Sequence, residues 1–230
     1  MKMWLETFLD SERIVKIIKD AGFSLTKTKP DFIIVYGGDG TILRAENKYP
    51  SIPKIPIMYR NSTRREKAYK FYTIKDLNRI LKKIKSKSYR IKKFRKIEAL
   101  YKNKKIIALN EIQIRNKDPR TALRFSLEVG NKKLKNIIGD GIVASTSFGS
   151  FAYYRALGNK PFKKGFKIGF NNVFPRRKPI KINENSPAIV TVERENGILT
   201  ADNSDIVEIN TGESVTIKPS KSFAKFVVIS

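Results

Sequence analysis

An α/β N-terminal domain followed by a β-rich C-terminal domain is the architecture this sequence predicts. Three observations carry it. The apolar run Phe32-Ile33-Ile34-Val35 leads into Tyr36-Gly37-Gly38-Asp39-Gly40-Thr41, then a short helical stretch at 41–48 and a second apolar run, Ile55 to Met58; strand, loop, helix, strand opens an α/β layer. After about residue 88, short alternating runs replace helical periodicity. The last apolar run, Phe223 to Ile229, reads as a segment returning to the first domain. The limits that follow are 1–87 with 219–230 for the α/β domain and 88–218 for the β-rich one.

In chain order, residues 11–22 read as a helix, with Asp10 or Ser11 as cap, Ile14, Val15, Ile17 and Ile18 on one face and Gly22 as stop. Pro50, Pro53 and Pro56 break the chain before a polar, basic loop, Arg60 to Arg65. Thr73 and Asp76 fit a capping box for a helix with Ile74, Leu77, Ile80, Leu81 and Ile84 as its stripe. Strands are expected at 97–101, 106–114, 123–129, 134–138, 187–193, 205–209 and 213–218, with Gly130-Asn131 as a hairpin turn and a helix from about Ser150 to Leu157.

Composition removes much chemistry. The 230 residues include no cysteine and no histidine, which excludes disulfides, thiol nucleophiles, Cys/His zinc sites and Ser-His-Asp triads. A general base must then be a carboxylate, a lysine or a tyrosine. The net charge of +27, from 48 basic and 21 acidic residues, fits a solvated lysine-rich surface or a polyanionic partner such as nucleotide, polyphosphate or nucleic acid. Residues 82–105 hold twelve Lys or Arg against one acid, Glu98; a solvated face is the favoured reading there and nucleic-acid binding the alternative. No apolar run is long enough to span a membrane, and residues 1–21 lack an apolar secretion core. A cytoplasmic location without membrane association is the expectation.

Three constellations carry candidate chemistry. Gly37, Gly38, Gly40 and Thr41 surround Asp39 at the end of a buried-type strand. Free backbone N–H groups and a helix start there suit a phosphate, and Asp39 stands where a nearby hydroxyl loses its proton. An Asp-Gly turn between two strands is the other reading. Asn110 and Glu111 interrupt an apolar strand, where they either bond ribose hydroxyls or, with Glu111 exposed, pair a lysine. Gly139 to Tyr153 runs from a Gly-Asp-Gly turn through a short strand into small hydroxyl residues. It either admits a ligand closely or packs as a tight loop.

Taken together, Gly37-Gly38-Asp39-Gly40-Thr41, Asn110-Glu111, and Asp140-Gly141 followed by Ser145-Thr146-x-x-Gly149-Ser150-x-Ala152-Tyr153 resemble the NAD kinase family, in order and approximate spacing over most of the chain. Asp202-Asn203-Ser204 falls where that family often has Asp-Gly-Gln. The first motif is shared with diacylglycerol and sphingosine kinases; the third is more specific to NAD kinases. The resemblance implies a two-domain NAD kinase-like fold, with an N-terminal nucleotide-binding domain. It implies phosphorylation of the adenosine-ribose 2′-hydroxyl of NAD by ATP or polyphosphate, giving NADP. Asp39 would be the general base, and Gly37 to Thr41 the loop around the transferred phosphate. Asn110 and Glu111 would hold the ribose, and Asp140 with Gly141 would approach the adenine, across a subunit contact. Ser145, Thr146, Gly149, Ser150, Ala152 and Tyr153 would line the dinucleotide site. Mg2+ would arrive with the donor, with no dedicated protein ligands, and the assembly would be a homodimer or homotetramer. The sequence departs from the family at Ser147, Phe148 and Phe151, where the family usually has Pro and two hydroxyl residues. The two rings narrow the nicotinamide side, stack on a ligand ring or fill a gap. A paralogue with an altered acceptor and a non-catalytic nucleotide-binding protein are the rival readings.

Overall fold

The computed structural model describes residues 1–59 and 67–229; the basic loop expected at Arg60 to Arg65 lies outside the described residues. The chain divides into two compact units, Met1–Phe94 with Phe223–Ser230, and Arg95–Ser222.

The first unit runs β1 (Lys2–Glu6), α1 (Glu12–Asp20), β2 (Ser24–Leu25), β3 (Phe32–Tyr36), α2 (Asp39–Lys48), β4 (Lys54–Ile57) and α3 (Leu77–Lys85). Its strands are parallel, in the order β2-β1-β3-β4. Every residue of β3 and β4 is buried, as expected of parallel strands covered on both faces. Ile14 and Ile18 of α1 and Leu77, Ile80, Leu81 and Ile84 of α3 pack on Met3, Phe32, Ile34, Ile55 and Ile57, joined by Val227 and Ile229 from the chain end. The helix expected at 41–48 starts earlier, at Asp39, with Gly38 as its N-cap, and so takes in Asp39 and Gly40 of the glycine motif. The Thr73–Asp76 capping box forms, on a 3-10 turn (Ile74–Asp76) that leads into α3.

Two charged residues of this unit, Lys54 and Glu46, are fully enclosed as a pair. Lys54 opens β4 with no exposed surface, and its ammonium is bonded by Glu46 of α2 and, at 2.6 Å, by the carbonyl of Tyr49. Ser51 N–H donates to the same Glu46 carboxylate at 3.2 Å. A buried ammonium is tolerable only with such partners.

The chain leaves the first unit along β5 (Arg90–Tyr101). The second unit continues with β6 (Lys104–Ala108), β7 (Glu111–Asn116), β8 (Leu123–Val129), β9 (Lys132–Gly139), β10 (Gly141–Thr146), α4 (Tyr153–Ala156), β11 (Phe166–Asn171), β12 (Ile180–Ile182), β13 (Ala188–Arg194), β14 (Gly197–Ala201), β15 (Val207–Ile209) and β16 (Ser214–Val228). One antiparallel sheet has the order β12-β11-β10-β7-β14-β15. Elsewhere in the unit β13 lies between β8 and the first half of β16, and β9 pairs with β8. Inward residues of both groups, among them Phe125, Leu127, Val190, Ile217, Ile112, Ile142 and Ile168, make one apolar core.

Several expectations are corrected. The strand expected at 106–114 is two strands, β6 and β7, so Asn110 sits in the gap between them rather than at a strand centre. The runs 213–218 and 223–229 form one strand, β16. The helix at 150–157 is a 3-10 turn (Gly149–Phe151) and the four-residue α4, separated by Ala152 at φ −97°, ψ −121°. β1, β2, β11, β12 and β14 have no counterpart among the strands expected from the sequence. Both passages between the units lie inside strands, β5 and β16, not in linkers.

The buried pair gives a stability test. Glu46→Ala leaves the Lys54 ammonium without its counter-charge, and urea unfolding should show a loss of about 3–5 kcal/mol. Replacing exposed Lys87 by Ala should change stability by no more than about 0.5 kcal/mol.

Candidate functional site

In the first unit, β3 hands its last residue, Tyr36, to Gly37, and α2 begins two residues later at Asp39. Gly37 has φ 155°, and a Cβ there would lie 2.3 Å from Thr41 Oγ1, so only glycine fits. Gly38 and Gly40 differ: a Cβ on either would meet nothing within 4 Å. Among the described residues, no neighbour requires their smallness. It leaves the first turn of α2 with bare backbone, the setting in which an anion meets helix N–H groups.

Asp39 is held from one side. Lys67 Nζ donates to Oδ1 at 2.7 Å and to Oδ2 at 2.8 Å, and Tyr69 Oη donates to Oδ1 at 2.6 Å. The lysine side chain is 6% exposed and the aspartate 34%, so the cation is buried and the carboxylate keeps an open edge. Burial, then the charge of Asp39 and its hydrogen bond, push the Tyr69 phenol far above the ordinary tyrosine range. It therefore stays a donor. Tyr69 stacks on Phe226, which meets Phe94 edge-on.

In the second unit the gap between β6 and β7 is filled by Asp202. Its carboxylate accepts from the backbone N–H groups of Leu109 at 2.6 Å, Asn110 at 2.8 Å and Glu111 at 3.3 Å, and its own N–H donates to the Glu111 carbonyl. Asp202 adopts φ 49° to do so. Burial raises its pKa to about 6 against the lowering effect of the three N–H groups. Glu111 is pushed up to about 8, first by burial and then by the Asp202 charge, while Gln113 pulls the other way. Its Oε2 is buried without a hydrogen-bond partner. Near neutrality Glu111 is thus a neutral acid that can both donate and accept.

The third motif folds over the same gap. Ser145 pairs in register with Glu111. Thr146 Oγ1 donates to the Leu109 carbonyl at 2.6 Å and accepts from Gly149 N–H at 3.0 Å. Ser150 Oγ donates to the carbonyls of Ser147 and Phe162 and accepts from Phe162 N–H. Ser145, Thr146 and Ser150 are fully buried, and their hydroxyls are spent on the chain. A Cβ on Gly149 would lie 2.2 Å from the Asn110 carbonyl oxygen, and one on Gly141, at φ 116°, 2.0 Å from that of Ile114. The close approach these two glycines permit is therefore to backbone of the same unit. Ala152 and Tyr153 are half-buried, and Arg115 lies 5.7 Å from the Tyr153 ring centre. Phe148 is buried and Phe151 half-buried.

The structure thus gathers Gly37 to Thr41 with Lys67 and Tyr69 in one unit, and Asn110, Glu111, Ser145, Thr146, Gly149 and Ser150 with Asp202 in the other. Asp140 and Gly141 stand apart from the second group, at the opposite end of β10, where Asp140 accepts from Asn172 Nδ2 at 3.3 Å. Among the described residues, no group of three or more Asp or Glu side chains is placed to hold a metal ion, and no helix is long and apolar enough to cross a membrane.

Residues 109–229, more than half of the chain, match the family model described as the ATP-NAD kinase C-terminal domain. The chain belongs to the NAD kinase family. An NAD kinase of Sulfurisphaera tokodaii is 28% identical over 94% of this chain and 88% of its own length. NAD kinase 1 of Oceanobacillus iheyensis is 30% identical over 61% of this chain and 55% of its own length. An NAD kinase from Archaeoglobus fulgidus, solved in complex with ATP, has the same fold: TM-score 0.78 at 23% identity, covering 98% of this chain and 92% of that one.

Within this family member, the sequence marks Lys67 only as part of a basic loop with Arg60, Arg64 and Arg65 where the family is usually glycine-rich and apolar, and does not point to Tyr69; they lie 28 and 30 residues from Asp39. Asp202 carries a signal, since Asp202-Asn203-Ser204 falls where the family often has Asp-Gly-Gln, but no role.

Glu111 gives a pH test. A carboxyl whose folded pKa lies above its unfolded value binds its proton more tightly when folded. Its contribution is present in full below about pH 4.5 and lost as pH rises towards about 8. Thermal melts from pH 5 to 8 should show stability falling with pH from this group, and Glu111→Gln should flatten that fall.

Proposed function

We propose that the protein transfers a phosphoryl group from ATP or polyphosphate, as the magnesium complex, to the adenosine-ribose 2′-hydroxyl of NAD, giving NADP. The observation that carries the reading is Asp39, an open-edged carboxylate in the first turn of α2, fixed from behind by Lys67 and Tyr69. In the step, the acceptor oxygen bonds to phosphorus, the bridging P–O bond to the leaving phosphate breaks, and the hydroxyl proton passes to Asp39. Phosphoryl transfer asks mainly for positioning and charge stabilisation. The bare backbone at Gly38 and Gly40 and the buried Lys67 ammonium supply positive potential next to the base. Mg2+ would arrive with the donor's phosphates, whose charge it offsets.

On the acceptor side, Asn110 and a protonated Glu111 offer both donors and acceptors to sugar hydroxyls. The unpartnered Oε2 of Glu111 supports this, because a buried oxygen without a bond is costly until a ligand provides one. Ala152 and Tyr153 line the dinucleotide. Ser145, Thr146, Gly149 and Ser150 act by holding the turn in shape.

The test is NADP formation from NAD, Mg2+ and either donor. Asp39→Asn should reduce turnover by about 10²–10⁴-fold with the melting temperature kept. A wild-type protein that forms no NADP with either donor, or a variant that keeps wild-type turnover, contradicts the proposal.

A further inference from the structure

Two side chains meet Asp39, and they load its oxygens unequally. Tyr69 Oη donates to Oδ1 alone, at 2.6 Å, whereas Lys67 Nζ donates to Oδ1 at 2.7 Å and to Oδ2 at 2.8 Å. Each carboxylate oxygen has two lone pairs. Oδ1 is thus filled, and Oδ2 keeps a place for one more hydrogen. The phenol is held where it is by its ring, which stacks on Phe226, itself edge-on to Phe94.

Lys67 has capacity left over as well. An ammonium carries three donors, and Asp39 takes two of them; among the described residues the third has no acceptor. The side chain is only 6% exposed. A donor enclosed in this way is costly until a ligand meets it. The family usually has a glycine-rich, apolar loop at this point, so the ammonium is this chain's own addition.

Phosphoryl transfer creates a use for that third donor. A general base must hydrogen-bond the attacking hydroxyl, which brings a carboxylate close to a phosphoryl group that is also negative. A cation touching both offsets their repulsion, and Lys67 already touches one of them. We propose that Lys67 is a second catalytic residue, its third N–H bonding an oxygen of the transferring phosphoryl group, and that Tyr69 is a positioning residue that reserves Oδ2 of Asp39 for the incoming proton. Both roles rest on the kinase reading above. In the step, the ribose 2′-oxygen bonds to phosphorus, and the bridging P–O bond breaks with its electron pair leaving on the donor's remaining phosphate. The 2′-hydroxyl proton passes to Oδ2. Lys67 transfers no proton; it bridges the two negative groups while charge spreads over the phosphoryl oxygens.

Two measurements test these roles. The first is calorimetric titration of the NAD-saturated full chain with the magnesium complexes of ADP and of AMP-PNP, which adds a third, non-transferable phosphoryl group. Lys67→Met, similar in length but uncharged, should weaken AMP-PNP binding about 10-fold or more and leave ADP binding unchanged. Tyr69→Phe should change neither. The second measurement is NADP formation. Lys67→Met should lower kcat about 10²-fold or more with the KM for NAD kept. Tyr69→Phe, which retains the ring on Phe226, should lower kcat about 10-fold or more with both KM values kept. Ethylammonium should restore part of the turnover of Lys67→Ala and none of that of Asp39→Asn, a rescue that a merely structural lysine does not allow. Lys70→Met, which removes a neighbouring ammonium bonded to the Ile229 carbonyl, should match the wild type in both measurements. Circular dichroism melts establish that each variant folds, and Lys67→Ala with and without ethylammonium makes the same comparison if Lys67→Met does not. Wild-type kcat or wild-type AMP-PNP binding in the Lys67 variant overturns the role of Lys67, and wild-type kcat in Tyr69→Phe overturns that of Tyr69. A wild-type protein that forms no NADP with either donor overturns the kinase reading and both roles with it, and is told apart because no variant is involved.

Discussion

The carboxylate of Asp202 is the constraint on which the second unit's candidate site depends. Three consecutive N–H groups, of Leu109, Asn110 and Glu111, point at it because the chain breaks between β6 and β7. Without an acceptor there, three buried donors would be unsatisfied, each a cost comparable to a lost hydrogen bond. With it, Asn110 and Glu111 are fixed at a strand edge, the Asn110 backbone forms the seat for Gly149, and Thr146 closes on Leu109. Asp202 also sets the electrostatics, since its charge adds to burial in keeping Glu111 protonated.

Charge is handled in contrasting ways inside the first unit. Two cations each have a specific partner: Lys54 has Glu46, and Lys67 has Asp39. The first pair is fully enclosed and serves packing. The second leaves the aspartate's edge open, which separates the carboxylate proposed as base from the enclosed Glu46 although both meet a lysine.

The glycines divide along the same line. Gly37, Gly141 and Gly149 are small because other atoms of the chain stand where a side chain would be. At Gly38 and Gly40 an added Cβ would meet none of the described residues within 4 Å, and their backbone lies at the start of α2. Motif matching treats all five alike, whereas steric surroundings tie only Gly37, Gly141 and Gly149 to the architecture.

Much was legible in the sequence for physical reasons that are local. The buried run Phe32-Ile33-Ile34-Val35 could only be a covered strand, Thr73 and Asp76 announced their helix start, and alternation in Leu123–Val129 gave its strand and facing. The absence of cysteine and histidine left Asp39 as the base to consider, and the three motifs together gave the family. No linker composition marks the passages between the units, because the chain crosses within the continuous strands β5 and β16. Nor was the gap at Asn110 legible, because it depends on an acceptor 92 residues away. Lys67 and Tyr69 on Asp39 and the burial that raises Glu111 were likewise decided by tertiary structure alone. Periodicity and motif spacing register what neighbours along the chain impose, whereas partners, burial and charge balance are set by residues that only folding brings together.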